Sequence, residues 1–158
     1  MKQTLFTLAL TTIFLTHQSF INPSVFNKKE TVILNAGTPV SFKLIQNINS
    51  DDVEIGNTVL FSTDDVVVAG GQIVIRQGER SEGTVTDIRR KNDCSSCPDK
   101  FQRIEITIDR VKAIDGQYVR VFGPVFTARS KCPKCPVELN TTMRLDANVQ
   151  SNTLITIR

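Results

Sequence analysis

From residue 31 onward, apolar residues recur at every second position in short runs punctuated by glycine, the period of half-buried β-strands. In 39–46, Val40, Phe42 and Leu44 alternate with Ser41 and Lys43. In 101–112, Ile104, Ile106 and Ile108 alternate with Arg103, Glu105, Thr107 and Asp109, so one face is apolar. Shorter Val-, Leu- and Ile-rich runs predict strands at 31–35, 57–62, 65–69, 72–75, 82–89, 118–126, 142–147 and 153–158. Gly56, Gly70-Gly71 and Gly78 mark tight turns, and Asp115-Gly116 marks a hairpin because both residue types tolerate positive φ. No run of about 11 residues carries a helical period, and 51–56 is given at most one helical turn. The pattern predicts an all-β fold, a single small β-barrel or sandwich, with a long hairpin carrying two C-x-x-C loops.

The 158 residues fit one domain. The first 15 residues open with Met1, Lys2 and Gln3 and continue into an apolar stretch from Leu5, the size of a signal-peptide core and too short for a membrane span of about 20 residues. Ser19 is the candidate last leader residue, with His17 two positions before it where a small residue is favoured. The expected organisation is a signal peptide at 1–19, a linker at 20–30 and a β-domain at 31–158. Cleaved export to the periplasm or the medium is the first reading, and an uncleaved membrane anchor the second. A cleaved leader leaves no transmembrane span in the mature chain.

Cys94-Ser-Ser-Cys97 and Cys132-Pro-Lys-Cys135 form two C-x-x-C pairs. The midpoint of 94 and 135 coincides with that of 97 and 132, and both fall beside Asp115-Gly116. If 101–112 pairs with 118–126, both cysteine pairs leave the open end of that hairpin together. Four thiols so gathered suit a tetrahedral structural zinc site. They equally suit two disulfides, Cys94–Cys135 with Cys97–Cys132 across the hairpin, or either other connectivity that four cysteines allow. A thioredoxin-like site is disfavoured, since Pro98 and a strand, not a helix N-terminus, follow Cys97.

His17 is the only histidine, and it lies in the leader. The mature chain therefore lacks the base of a Ser-His-Asp or Cys-His arrangement and of a His-ligated zinc catalyst. Asp51-Asp52 with Glu54, and Asp64-Asp65, are candidate carboxylate pairs for a hydrolase, against the plainer reading of turn capping. Arg89, Arg90, Lys91, Lys131 and Lys134 form a candidate anion-facing patch near the cysteines, together with Lys100, Arg103 and Arg129. Asp93, Asp99 and Glu105 are interleaved with them, as on an ordinary solvated face. The net charge of +3 gives no sign of a nucleic-acid partner.

The stretch Ala36-Gly37-Thr38-Pro39-Val40, then Ile48-Asn49-Ser50, Gly56, Asp65-Val66-Val67-Val68, Ile73-Val74-Ile75-Arg76-Gln77-Gly78, Gly83-Thr84-Val85 and Asp115-Gly116 has a familiar layout. It resembles the C-terminal β-barrel domain of TrbI-like conjugation and type IV secretion channel proteins, and small exported bacterial proteins that share the pattern. The resemblance covers about 34–126 and implies a barrel and a place in the envelope. It carries over no pore role and no functional residue, since this sequence shows no long proline-rich linker, and paired C-x-x-C loops are foreign to that pattern.

The expectation is an exported, non-enzymatic envelope module that is structural or binds an unidentified protein partner. Its cysteine cluster would be held by one zinc ion or two disulfides. The alternatives are a periplasmic metal-handling or thiol-redox protein using the same cysteines, and a carboxylate-dependent hydrolase.

Overall fold

The computed structural model describes residues 29–90, 101–133 and 135–157. The leader, most of the linker, Lys91, Cys94, Cys97, Lys100 and Lys134 lie outside the described residues.

In chain order the strands are β1 (Glu30–Leu34), β2 (Pro39–Leu44), β3 (Ile48–Asn49), β4 (Thr58–Thr63), β5 (Val67–Ala69), β6 (Gln72–Ile75) and β7 (Arg80–Arg89). They continue with β8 (Arg103–Lys112), β9 (Tyr118–Phe122), β10 (Phe126–Arg129), β11 (Glu138–Leu139), β12 (Arg144–Val149) and β13 (Thr153–Ile157). The described residues contain no helix, and residues 51–56 form turns and irregular chain only. No helix among them is long and apolar enough to cross a membrane.

Six strands close into an antiparallel barrel in the order β8, β7, β4, β2, β12, β9, with β9 returning to β8. The alternation seen in the sequence sets its inside. Val40, Phe42 and Leu44 of β2 point inward against Val59 and Phe61 of β4, Ile104 and Ile106 of β8, and Ala147 and Val149 of β12, all buried. In β7 the inward phase runs through Ser81, Gly83 and Val85 and resumes at Ile88. A bulge between Val85 and Asp87 absorbs the extra residue and bends the two long strands.

The two ends of the barrel are closed differently. At the β8–β9 turn, the ribbon β1–β13 and the hairpin β5–β6 add a second layer that buries Val32, Leu34, Val74, Ile75 and Ile155. Gly70 and Gly71 take φ of 57° and 77°, the left-handed pair that a two-residue hairpin requires. Ile114 donates its N–H to Val74 at 2.9 Å, and the Asp115 carboxylate accepts the N–H of Thr156 at 3.0 Å, so the turn is tied to this layer. The opposite end carries the small β3–β11 ladder and the cysteine loop.

The hairpin expected around Asp115-Gly116 forms, with Arg110 opposite Arg120 and Lys112 opposite Tyr118. Its returning strand is broken, contrary to the single run expected over 118–126. β9 stops at Phe122 and β10 resumes at Phe126. Pro124 has no N–H for a ladder, so pairing cannot run through it.

Candidate functional site: the cysteine end of the barrel

β10 carries the chain up along β8 and delivers it, at Ser130, to the loop holding Cys132 and Cys135. That loop is fixed from below by buried polar side chains. The Ser130 N–H donates to the Gln102 carbonyl at 3.0 Å, and the Gln102 N–H donates to Ser130 Oγ at 3.0 Å. The same hydroxyl donates to the Cys132 carbonyl at 2.8 Å, which hangs the loop from the end of β8.

Ser50 makes the matching attachment on the other side. Its N–H donates to the Val137 carbonyl at 2.9 Å, and its Oγ accepts the Val137 N–H at 2.9 Å and donates to Gln102 Oε1 at 3.4 Å. Arg90 closes the set, donating from Nε to the Ser50 carbonyl at 3.3 Å and from Nη2 to the Val53 carbonyl at 2.5 Å. Ser50, Gln102 and Ser130 are all buried. Buried groups so satisfied hold one geometry, because any displacement strands a donor or acceptor away from water.

Cys132 is bonded to Cys135 within its own loop, with Cα atoms 5.2 Å apart. This is not the cross-hairpin pairing Cys94–Cys135 with Cys97–Cys132 suggested by the symmetry of the sequence. The cause is local: the Cys135 N–H donates to the Cys132 carbonyl at 3.1 Å, and this tight turn brings the two cysteines together without help from another loop. Cys94 and Cys97 lie outside the described residues.

Beside the loop opens a cleft of about 750 Å³. Gln46, Asn47, Asn49 and Asn140 supply amides to its wall, Asp52 and Glu138 carboxylates, and Arg129 and Lys131 cations. Ile48, Val53, Pro136 and Leu139 give it apolar surface, and Cys135 stands at its edge. Side-chain amides offer a donor and an acceptor side by side, which matches the peptide group of another chain; of these four, Asn49 and Asn140 already use Oδ1 to accept the Asp51 N–H at 2.9 Å and the Thr142 N–H at 3.1 Å. No histidine follows His17, so the cleft has no imidazole base.

The basic residues singled out in the sequence have separate roles. Arg90 is used on the carbonyls just described, and Arg89 donates from Nη2 to the Phe101 carbonyl at 2.9 Å. Arg103 meets Asp87 at 2.5 Å and Glu105 at 3.4 Å. Lys131 is exposed at the cleft. The carboxylates of 51–54 and 64–65 sit in turns and loops between strands, where the Asp64 carboxylate is paired with Arg144 at 2.8 Å.

A second polar cluster lies on the outer wall, along a groove of about 460 Å³. Glu82 accepts from Arg110 through Nε at 2.8 Å and Nη2 at 2.5 Å, and the guanidinium lies 4.7 Å from the centre of the Tyr118 ring. The Arg110 hydrogen bonds hold the Glu82 carboxyl below its ordinary value of 4.5, against the opposing effect of burial.

Ser50, Gln102 and Ser130 were not among the residues singled out by composition. One signal was present: Gln102 occupies the inward phase of the strand that continues through Ile104 and Ile106. A polar residue in that phase needs buried partners.

No family model, curated protein or solved structure matches this chain.

Proposed function

We propose that this chain is an exported β-barrel of the bacterial envelope that works as a protein-interaction module, presenting the cysteine loop and the cleft beside it to a protein partner. The observation that carries this reading is the buried Ser50–Gln102–Ser130 set, which holds an irregular loop over an amide-lined cleft. Fixing a recognition surface in advance lowers the ordering cost of binding. The leader-like opening and the resemblance to envelope barrel domains support export, and an oxidised C-x-x-C fits an oxidising compartment. The lack of histidine after His17 favours binding over catalysis.

The test is site-specific crosslinking in intact Gram-negative cells, with a photoreactive residue replacing Lys131 at the cysteine end or Lys112 at the far end. A discrete protein adduct from position 131 and none from position 112 is expected. Adducts from neither position, or equally from both, would contradict the reading.

A thiol-redox or metal-handling role is the second reading, favoured by the half-exposed Cys132–Cys135 pair at the cleft. Zinc ligation by Cys94, Cys97, Cys132 and Cys135 requires that bond to be opened, because thiolates and not disulfides bind the metal. Reduction followed by uptake of one zinc ion at physiological thiol potentials would move this reading ahead.

A further inference from the structure

Asn140-Thr141-Thr142 is the one place in the sequence where an asparagine precedes a hydroxyl residue by two positions with no proline between them; at Asn22 and Ser24 the intervening residue is Pro23. This is the acceptor pattern for transfer of a glycan to an asparagine side chain. The fold places the pattern at the surface. Strand β11 ends at the buried Leu139, and Glu138, Asn140, Thr141 and Thr142 are all exposed. The three acceptor residues form the turn between β11 and β12, closed by the Met143 N–H on the Asn140 carbonyl at 3.2 Å.

Within that turn the Asn140 side chain is held by its oxygen alone. Oδ1 accepts the Thr142 N–H at 3.1 Å and also the Thr142 hydroxyl. A turn of this kind needs only the N–H two residues on, so it accounts for Asn140 and leaves the Thr142 hydroxyl without a structural task. Donors on the amide oxygen draw electron density from Nδ2 and ease the loss of its proton, which an amide nitrogen needs in order to act as a nucleophile. Among the described residues nothing accepts from Asn140 Nδ2, so that nitrogen is free to react. Glu138 lies on the same side of the chain two residues earlier, exposed and without an ion-pair partner among the described residues. Its carboxylate is available to a cationic group of the enzyme that reads the segment.

We propose that Asn140 is a glycan acceptor: an envelope oligosaccharide transferase, drawing on a lipid-diphosphate-linked oligosaccharide, joins the sugar to Nδ2. The new bond runs from Nδ2 to the anomeric carbon. The bond from that carbon to the phosphate oxygen breaks, the lipid diphosphate leaves with the electron pair, and an Nδ2 proton passes to a base of the transferase. Thr142 is recognised through its hydroxyl and Glu138 through its charge. Acceptance of a glycan rests on the export proposed above, since such transfer takes place outside the cytoplasm, and needs no protein partner. Asn140 also lines the cleft, so the first sugar would stand against it.

The test expresses the full chain in a Gram-negative host supplied with a bacterial oligosaccharide transferase and its lipid-linked oligosaccharide, beside a control protein that this transferase modifies. A second chain carries a proven secretion leader in place of residues 1–19, so that delivery does not depend on the native leader. Trypsin cleavage after Lys134 and Arg144 isolates 135–144, whose mass and fragmentation read the modification. The expected result is this fragment heavier by one oligosaccharide, with the sugar on Asn140. Asn140→Gln and Thr142→Val should lose it, Thr142→Ser should keep it, and Glu138→Gln should lower it severalfold. An unmodified fragment from periplasmic chain carrying the proven leader, while the control protein is modified, would overturn the proposal. A glycan that survives Thr142→Val would overturn it too, and one indifferent to Glu138→Gln would overturn the role given to that carboxylate. Modification of the second chain, with the native-leader chain retained in the cytoplasm, would leave Asn140 an acceptor and contradict export.

Discussion

Gln102 and Ser130 hold each other twice, the Ser130 N–H on the Gln102 carbonyl and the Gln102 N–H on Ser130 Oγ, each at 3.0 Å. The second bond replaces a backbone ladder contact with a side chain, which frees the chain to turn out of β10 into the cysteine loop. The hydroxyl then reaches the Cys132 carbonyl, so one atom ends the strand and anchors the loop.

Replacing Ser130 with Ala leaves the buried Gln102 N–H without a partner and takes one of two donors from the Cys132 carbonyl, which keeps the Cys135 N–H. The expected loss is about 1–3 kcal/mol, seen as a lower urea midpoint at unchanged slope. Amide exchange should quicken over 131–137 and stay slow in β7 and β8. A uniform loss of protection would mean that Ser130 supports the barrel as a whole rather than the loop.

Opening the Cys132–Cys135 bond by a double Cys→Ala change should cost only about 2 kcal/mol, because the bridge closes a very short loop. The barrel should stay folded by far-ultraviolet circular dichroism. Global unfolding of the variant would show that the bridge supports more than its own loop.

At Gly83 the limit is steric. A Cβ there would sit 2.1 Å from the Thr107 carbonyl oxygen and 3.0 Å from Phe61 Cε2, where β7 pairs with β8. Gly83→Ala should destabilise by about 3 kcal/mol or more, because backbone rather than a flexible side-chain tip must yield. Retention of wild-type thermal stability would show that β7 and β8 separate more readily than their bulged register suggests.

Glu82 gives the pH dependence. Its carboxyl is held below 4.5 by hydrogen bonds from Arg110. Near that pH the unfolded chain carries more of this proton than the folded chain, so stability rises with pH through the window. The contribution is present above about pH 4.5 and fades as pH falls through the lower folded value. Comparing urea midpoints of wild type and Glu82→Gln from pH 3 to 7, the difference should be largest near neutrality and vanish in acid. A difference independent of pH would place the effect in packing against Tyr118.

The strands were legible wherever one face meets the core, because burial imposes a period of two; β6 falls on the expected residues and β8 within two of them. The two-residue strands β3 and β11 were missed, being too short for any period to register. The hairpin at Asp115-Gly116 was readable from its turn residues, but the Pro124 that breaks its second strand was passed over. Closure of the barrel through β2 and β12 joins residues more than 100 apart, and nothing local encodes it. The meeting of the two C-x-x-C pairs expected from symmetry about the turn involves Cys94 and Cys97, which lie outside the described residues. Symmetry suggested partners across the hairpin among the three connectivities that four cysteines allow, whereas the proline-bent loop brings Cys132 to Cys135. The side chains that hold the site, Ser50, Gln102 and Ser130, resemble ordinary turn and strand residues until their burial is known.

The most direct measurement is the mass of the protein in the separated periplasmic and cytoplasmic fractions of a Gram-negative host, taken intact and after alkylation and trypsin digestion without reductant. The expected result is a chain lacking its leader, with the fragments beginning at Cys132 and Cys135 still joined after cleavage at Lys134. Full-length chain retained in the cytoplasm would contradict export. One bound zinc with four alkylatable thiols would contradict the disulfide-closed loop and move the metal-centred reading into its place.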